Sequence, residues 1–243
     1  TVGPAITEST TSFQYQEPVY DAVERRFLGF KKVSATQMGG PSAPPSTVDT
    51  YFDYDDCLSV WGGCARGASL AVRDEKRLTS GLPRLREVRS GGTFLSTTSW
   101  VWSRGRLPEL PSFFAYAAQT DTILYDTAPF DPSGTSTLTV DIARPLSGDG
   151  PPKKGQITIR SAKFDHLRRT QIVDVAGNVK VSTDLGRIRK DDTPIDDPIV
   201  HTTNWIQRLP DAWGWRAEWG EVGAFPKHAD VPAGRPRRTR YLY

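Results

Sequence analysis

Between Leu110 and Lys180 apolar and polar residues change places with the period of strands. Leu138, Val140 and Ile142 alternate with Thr137, Thr139 and Asp141, and Ile157 and Ile159 alternate with Thr158 and Arg160. A period of two sends successive side chains to opposite faces, so each run reads as a strand with one buried face. Gln171 to Ala176 and Val179 to Thr183 flank Gly177-Asn178. That pattern predicts a hairpin closed by a two-residue connection, because Gly and Asn supply the positive φ that matches strand twist. The whole stretch predicts four or five strands separated by turns.

The same pattern extends outward with less regularity. Thr93 to Trp102, with Phe94, Trp100 and Trp102 among Thr and Ser, predicts a half-buried strand, and Ala68 to Val72 a shorter one. The breaks are explicit at Pro129 to Gly134, at Ser147 to Pro152, and at the acidic, proline-stiffened Asp191 to Pro198, which cannot lie inside a sheet. Turn signals about every 8–12 residues are what a sandwich or barrel looks like in one dimension. Thr1 to Thr47 lacks a sustained period and predicts an extended arm, with a short helix around Val19 to Phe30 and a hinge from Gly39 to Pro45. Val48 to Trp61 predicts a short helix or turn, and Arg73 to Arg89 a helix interrupted at Gly81-Leu82-Pro83 or a basic loop. The expected fold is an all-β, antiparallel β-sandwich of the jelly-roll type with extended N- and C-terminal arms. Its domains are a 1–47 arm, a 48–225 sandwich of roughly eight strands and a basic 226–243 arm.

Composition agrees with one folded β domain. Charged residues make up 24% of 243, an ordinary globular share that argues against disorder despite 19 Pro and 21 Gly. A net charge of +3 is too small for a dedicated nucleic-acid binder, but it is unevenly spread. Thr1 to Val60 carries four Lys/Arg against eight Asp/Glu, a net of −4, and Ala65 to Leu107 carries nine against three, a net of +6. The expected surface therefore has an acidic and a basic side. Cys57 and Cys64, with six residues between them, match neither a zinc knuckle nor a disulfide framework and are expected as free thiols of a cytosolic folding site. The start at Thr1, without Met, suggests release from a precursor.

Catalytic motifs are missing. His166, His201 and His228 are widely spaced, and His166 after Asp165 is expected as a satisfied surface histidine, with a general base as the alternative. Tyr54-Asp55-Asp56 lacks the spacing of a calcium loop, and Gly67 to Ala71 falls one residue short of a nucleophile elbow. No dinucleotide or phosphate-binding loop is present. The chain is expected to be no enzyme and to need no cofactor or metal. Two residue sets point instead to contacts. Arg73, Arg77, Arg84, Arg86 and Arg89, with Arg237, Arg238 and Arg240, suit non-specific neutralisation of nucleic acid or an acidic partner. Phe13, Tyr15, Trp205, Trp213, Trp215 and Trp219 suit a packed contact between subunits, and the tryptophans equally suit a stacking platform.

An all-β centre, arms at both ends and a processed start together resemble the jelly-roll coat proteins of small icosahedral viruses, the picorna-like group in particular. The resemblance spans Val48 to Phe225. It implies a structural subunit of a viral capsid, assembled in the host cytoplasm and resident in the virion. Its partners would be copies of itself, related coat subunits and packaged nucleic acid, with no membrane. Two alternatives share the fold: a carbohydrate-binding module or glycan-active enzyme using the tryptophan platform, and a phage decoration or tail protein.

Overall fold

A computed structural model describes residues 10–21, 25–39, 43–54, 78–106, 113–125, 136–143, 153–160, 163–207, 215–224 and 237–240. The named elements among them are all strands: β1 Thr11–Asp21, β2 Arg26–Gln37, β3 Ser46–Asp53, β4 Leu82–Ser90, β5 Thr93–Arg106, β6 Phe113–Tyr125, β7 Ser136–Ala143, β8 Lys153–Ile159, β9 Phe164–Val173, β10 Val179–Arg187, β11 Ile199–Gln207, β12 Trp215–Ala224 and β13 Arg237–Arg240. Eleven share one sheet in the order β1-β2-β3-β4-β5-β6-β9-β10-β11-β12-β13, and β7 and β8 form a ladder of their own. The chain is all-β and antiparallel, as the turn spacing indicates. Sequence neighbours lie side by side except where β9 follows β6, a largely meander order that leaves the jelly-roll sandwich unconfirmed. Both orders produce the same evenly spaced turns in one dimension.

Two compact units make up the chain, one formed by Thr1–Thr98, Tyr125–Ser136 and Arg160–Lys163, the other by Ser99–Leu124, Thr137–Ile159 and Phe164–Tyr243. In the first, β1 pairs with β2 from Thr11↔Gln37 to Asp21↔Arg26, so strands occupy the place of the short helix expected near Val19 to Phe30. Residues 11–21 and 26–37 of the expected arm are thus paired in a ladder within the chain. Pro18 is tolerated because β1 is an edge strand, where a missing N–H donor faces outward. Ser46–Asp53 is a strand, not a helix, and Leu82–Ser90 is the strand β4. Three rows cross one face of β2, β3 and β4: Lys32, Tyr51 and Leu85, then Ser34, Asp49 and Glu87, then Thr36, Thr47 and Arg89. In the same unit, the Tyr125 hydroxyl bonds Thr97 Oγ1 at 2.7 Å and its ring meets Phe94 edge-on.

The second unit holds most of the buried aliphatic side chains, among them Val101, Ile123, Ile157, Ile159 and Ile188. Its β9 and β10 are the expected hairpin, but the connection is Asp174–Asn178, not two residues. Asp174 makes the longer turn work. Its Oδ1 accepts from the backbone N–H groups of Ala176 and Asn178, both at 2.9 Å, which satisfies donors that the turn removes from the ladder. Gly177, at φ 89°, sits where a side chain is strained and where the Phe114 ring is already close. The acidic proline loop lies between β10 and β11, outside the ladder, closed by the Ile188↔Pro194 bridge and by a two-pronged Arg187–Asp196 ion pair. Ala68 to Val72, Cys57, Cys64, Asp55, Asp56 and His228 lie outside the described residues.

Candidate functional site

Strand alternation turns every second residue of a strand to one face, and in β4 of the first unit and in β6 and β9 of the second that face carries charge where a sheet usually carries aliphatic side chains. Among the described residues the buried polar or charged side chains number nine and the buried hydrophobic ones eight, so polar packing matters as much as apolar burial here. Removing a charge from water is costly unless it is paired and hydrogen-bonded. The sheet meets that requirement in two clusters, one in each unit.

In the first unit, Asp49 lies between Arg89 at 2.8 Å and Lys32 at 3.6 Å. Glu87, one strand over, accepts from Arg160 Nε at 3.0 Å and from the Tyr51 hydroxyl at 3.3 Å. Arg160 also lies over the Phe94 ring, with its guanidinium carbon 5.0 Å from the centroid. Burial, with the Glu87 charge adding to it, pushes the Tyr51 phenol above its ordinary value, so the hydroxyl remains a donor at neutral pH.

In the second unit, Asp121 on β6 is the fully enclosed centre of a four-residue network. His166 Nε2 meets its Oδ1 at 2.6 Å, Arg168 Nε donates to the same oxygen at 2.7 Å, and Gln119 Nε2 donates to Oδ2 at 2.8 Å. Arg168 reaches on to Asp192 at 2.7 Å, linking β9 to the proline loop. Burial pushes the Asp121 carboxyl up, but the His166 hydrogen bond, the Arg168 charge and the Gln119 bond outweigh it and hold the group below the usual carboxylate range. Burial likewise works against the Arg168 charge, and Asp121 and Asp192 more than offset it. With Asp121 ionised, the shared proton resides on His166 Nε2.

A carboxylate holding a histidine is the orienting half of a catalytic triad. Here the other half is missing: His166 Nδ1 has no hydrogen-bond partner, and the residue is only 3% exposed. No three His, Cys, Asp or Glu side chains converge as a metal-ligand set among the described residues. The arrangement fastens strands together and presents no accessible base. His166 has a partner as expected but is buried and not at the surface, while its neighbour Asp165 faces the other way and is exposed.

Of the arginines expected at a contact, Arg84, Arg86 and Arg89 do not share one face of β4. Arg84 and Arg86 are exposed on one face of β4, while Arg89 is on the opposite face, engaged by Asp49. Arg237 and Arg238 lie in β13 opposite Val222 and Glu221, Arg240 is exposed, and Arg73 and Arg77 lie outside the described residues. Of the aromatic set, Phe13 and Tyr15 are more than half exposed on β1 and stack at 6.5 Å. Tyr15 continues to Phe30 at 4.9 Å and Phe30 to Phe27 at 5.1 Å. Trp205 is turned to internal use, its Nε1 donating to Val179 O at 2.8 Å across β10 and β11. Trp215 and Trp219 sit on β12 opposite Gln207 and Asn204, and Trp213 lies outside the described residues.

No protein-family model matches the sequence, and no curated protein does. Solved structures do match. A TcdB2-TccC3 chain superposes over 93% of this chain with a TM-score of 0.56 at 12% identity. A chain of the Photorhabdus luminescens Tc holotoxin pore superposes over 89% with a TM-score of 0.57, also at 12% identity. TcdB2-TccC3 without its hypervariable C-terminal region gives 0.54 at 11% identity. This chain spans 12–13% of the length of those chains. The resemblance expected to viral coat proteins keeps only its β-rich part. The capsid, virion and coat-subunit reading is overturned, because the meander fold of this chain is one found in chains of a bacterial toxin complex.

Proposed function

We propose that this chain is a structural module of a larger β-stranded protein of the toxin-complex kind, a stretch of sheet whose work is to build and hold a wall, without catalysis of its own. The observation that carries the reading is the near-complete superposition of this chain on about an eighth of much longer toxin-complex chains. Two features of the sheet support it. Its edge strand β1 is eleven residues long and bears exposed Phe13, Tyr15 and Tyr20, an edge that a free-standing domain normally shortens, charges or covers. Its buried face is fastened by ion clusters that fix neighbouring strands in register, which suits a wall held by pairing along its length. The partners on this reading are further strands and components of a multi-subunit assembly.

Electron cryo-microscopy of the whole polypeptide that carries these 243 residues, alone and with a pore-forming component, tests the reading. The expected result is a particle in which β1 and β13 each continue into further strands. A discrete domain with β1 bare to solvent would overturn it.

A further inference from the structure

Strand irregularities in the first unit coincide at one place. On β1, Glu17 adopts φ 55°, and the pairing passes from Gln16↔Lys32 directly to Pro18↔Phe30. On β2, Gly29 adopts φ 136°, and a Cβ there would collide with the Tyr54 hydroxyl, which donates to Leu28 O at 3.1 Å. On β4, Arg84 is the extra residue between the pairs Tyr51↔Leu85 and Phe52↔Pro83. Bulges of this kind re-aim side chains and gather next to binding sites, and backbone held away from its ordinary range needs surrounding structure to maintain it. Glu17 and Arg84 line one cleft of about 300 Å³ together with Tyr51, Phe52, Tyr54, Lys31, Lys32 and Asp53, and Gly29 lies behind it against Tyr54.

The charges in the cleft are not equivalent. Lys32 is paired with Asp49 and lies over the Tyr51 ring, and Lys31 and Asp53 each have partners. Glu17 and Arg84 remain: both are exposed, both line the cleft, and neither is joined to the other or to another charge among the described residues. A simple anion would meet Glu17 and a simple cation would meet Arg84, each with a like charge nearby. A molecule bearing both signs satisfies both groups. The volume is at the small end of ligand sites, the size of one amino acid, and the aromatic wall offers apolar area for a side chain.

We propose that this cleft binds a small zwitterion of the α-amino-acid class, with Glu17 receiving the ammonium, Arg84 the carboxylate, and Phe52 and Tyr54 the side chain. The site is independent of the wall reading above. Calorimetric titration of the full chain with L-tyrosine, L-leucine and L-glutamine tests it, with tyramine, 3-(4-hydroxyphenyl)propanoate and inorganic phosphate as single-sign probes. Saturable binding of at least one amino acid is expected, with Glu17→Gln and Arg84→Met each weakening it about tenfold or more, the loss of one charge-assisted hydrogen bond. Each single-sign probe should bind at least about tenfold more weakly than L-tyrosine. Both substitutions are at exposed side chains outside the ion clusters, so the fold is retained. If either variant loses its far-ultraviolet spectrum, the single-sign probes on the native chain decide. The proposal is overturned by absence of saturable amino-acid binding, by binding indifferent to both substitutions, or by phosphate or tyramine binding as tightly as the amino acid.

Discussion

At the scale of single residues, Asp121 shows what holds this sheet. Its carboxylate takes donors from His166, Arg168 and Gln119 while fully enclosed. Replacing it with Asn leaves the Arg168 charge buried beside a neutral amide, a change that costs about 3–5 kcal/mol in comparable buried pairs. Urea unfolding of Asp121→Asn at pH 7 should show a loss of that order, and an unchanged midpoint would mean that the cluster contributes nothing net. The sign with pH follows from the direction of the shift. The folded carboxyl is held below its ordinary value of 3.8, so the unfolded chain takes up its proton first. Its stabilisation is therefore full well above pH 4 and is lost as pH falls through the folded value. The stability gap between native chain and Asp121→Asn should narrow on acidification below about pH 4, and a gap that widens there would contradict the assignment. None of this was readable from the sequence. Asp121 and His166 are 45 residues apart and carry no motif, and only the register of two strands joins them. Adjacency to Asp165 pointed the wrong way, because neighbouring strand residues face opposite sides.

At the scale of elements, the readable strands are those whose alternation is apolar against polar: β5, β7 and β8. β4 was unreadable for a definite reason. Its inward positions are Leu85, Glu87 and Arg89, so the buried face is itself mostly charged and the apolar period vanishes. β2 was hidden by phase, because the register shifts between Val19↔Gly29 and Tyr20↔Phe27, where Leu28 is an extra residue that resets the alternation of the strand. The β9–β10 hairpin was placed correctly and its turn misjudged, because Gly177-Asn178 supplied a familiar signal while Asp174, the residue that organises the turn, lay three positions earlier. Its carboxylate accepts from Ala176 N, Asn178 N and Asn178 Nδ2. Asp174→Ala strips all three bonds from a part-buried turn, and a loss of about 1–2 kcal/mol is expected in denaturant unfolding. Asp174→Asn, which keeps an acceptor, should lose less. Equal losses would shift the explanation from the side-chain bonds to the turn backbone.

For the whole molecule, the open question for the sheet is what continues it. A meander ends in two edges, and among the described residues β1 has no strand on its outer side, beside Phe13 and Tyr15, which stack with rings exposed. An edge of this length with aromatic side chains is a template for another strand. On the proposed wall reading, further strands would occupy that position, so the isolated chain should seek a substitute and pair with a second copy of itself. Sedimentation velocity across a concentration series should then show association that rises with protein concentration. Tyr15→Lys places a charge on the edge without touching either ion cluster and should shift the chain towards monomer, the effect that edge lysines have in natural sheets. Hydrogen exchange gives an independent view: the outward N–H groups of β1 should exchange quickly in dilute monomer and slowly in the associated form. A chain that stays monomeric at high concentration, with β1 already protected, would mean that its edge is closed by its own residues, and the wall reading would lose its physical basis even though the fold resemblance remained.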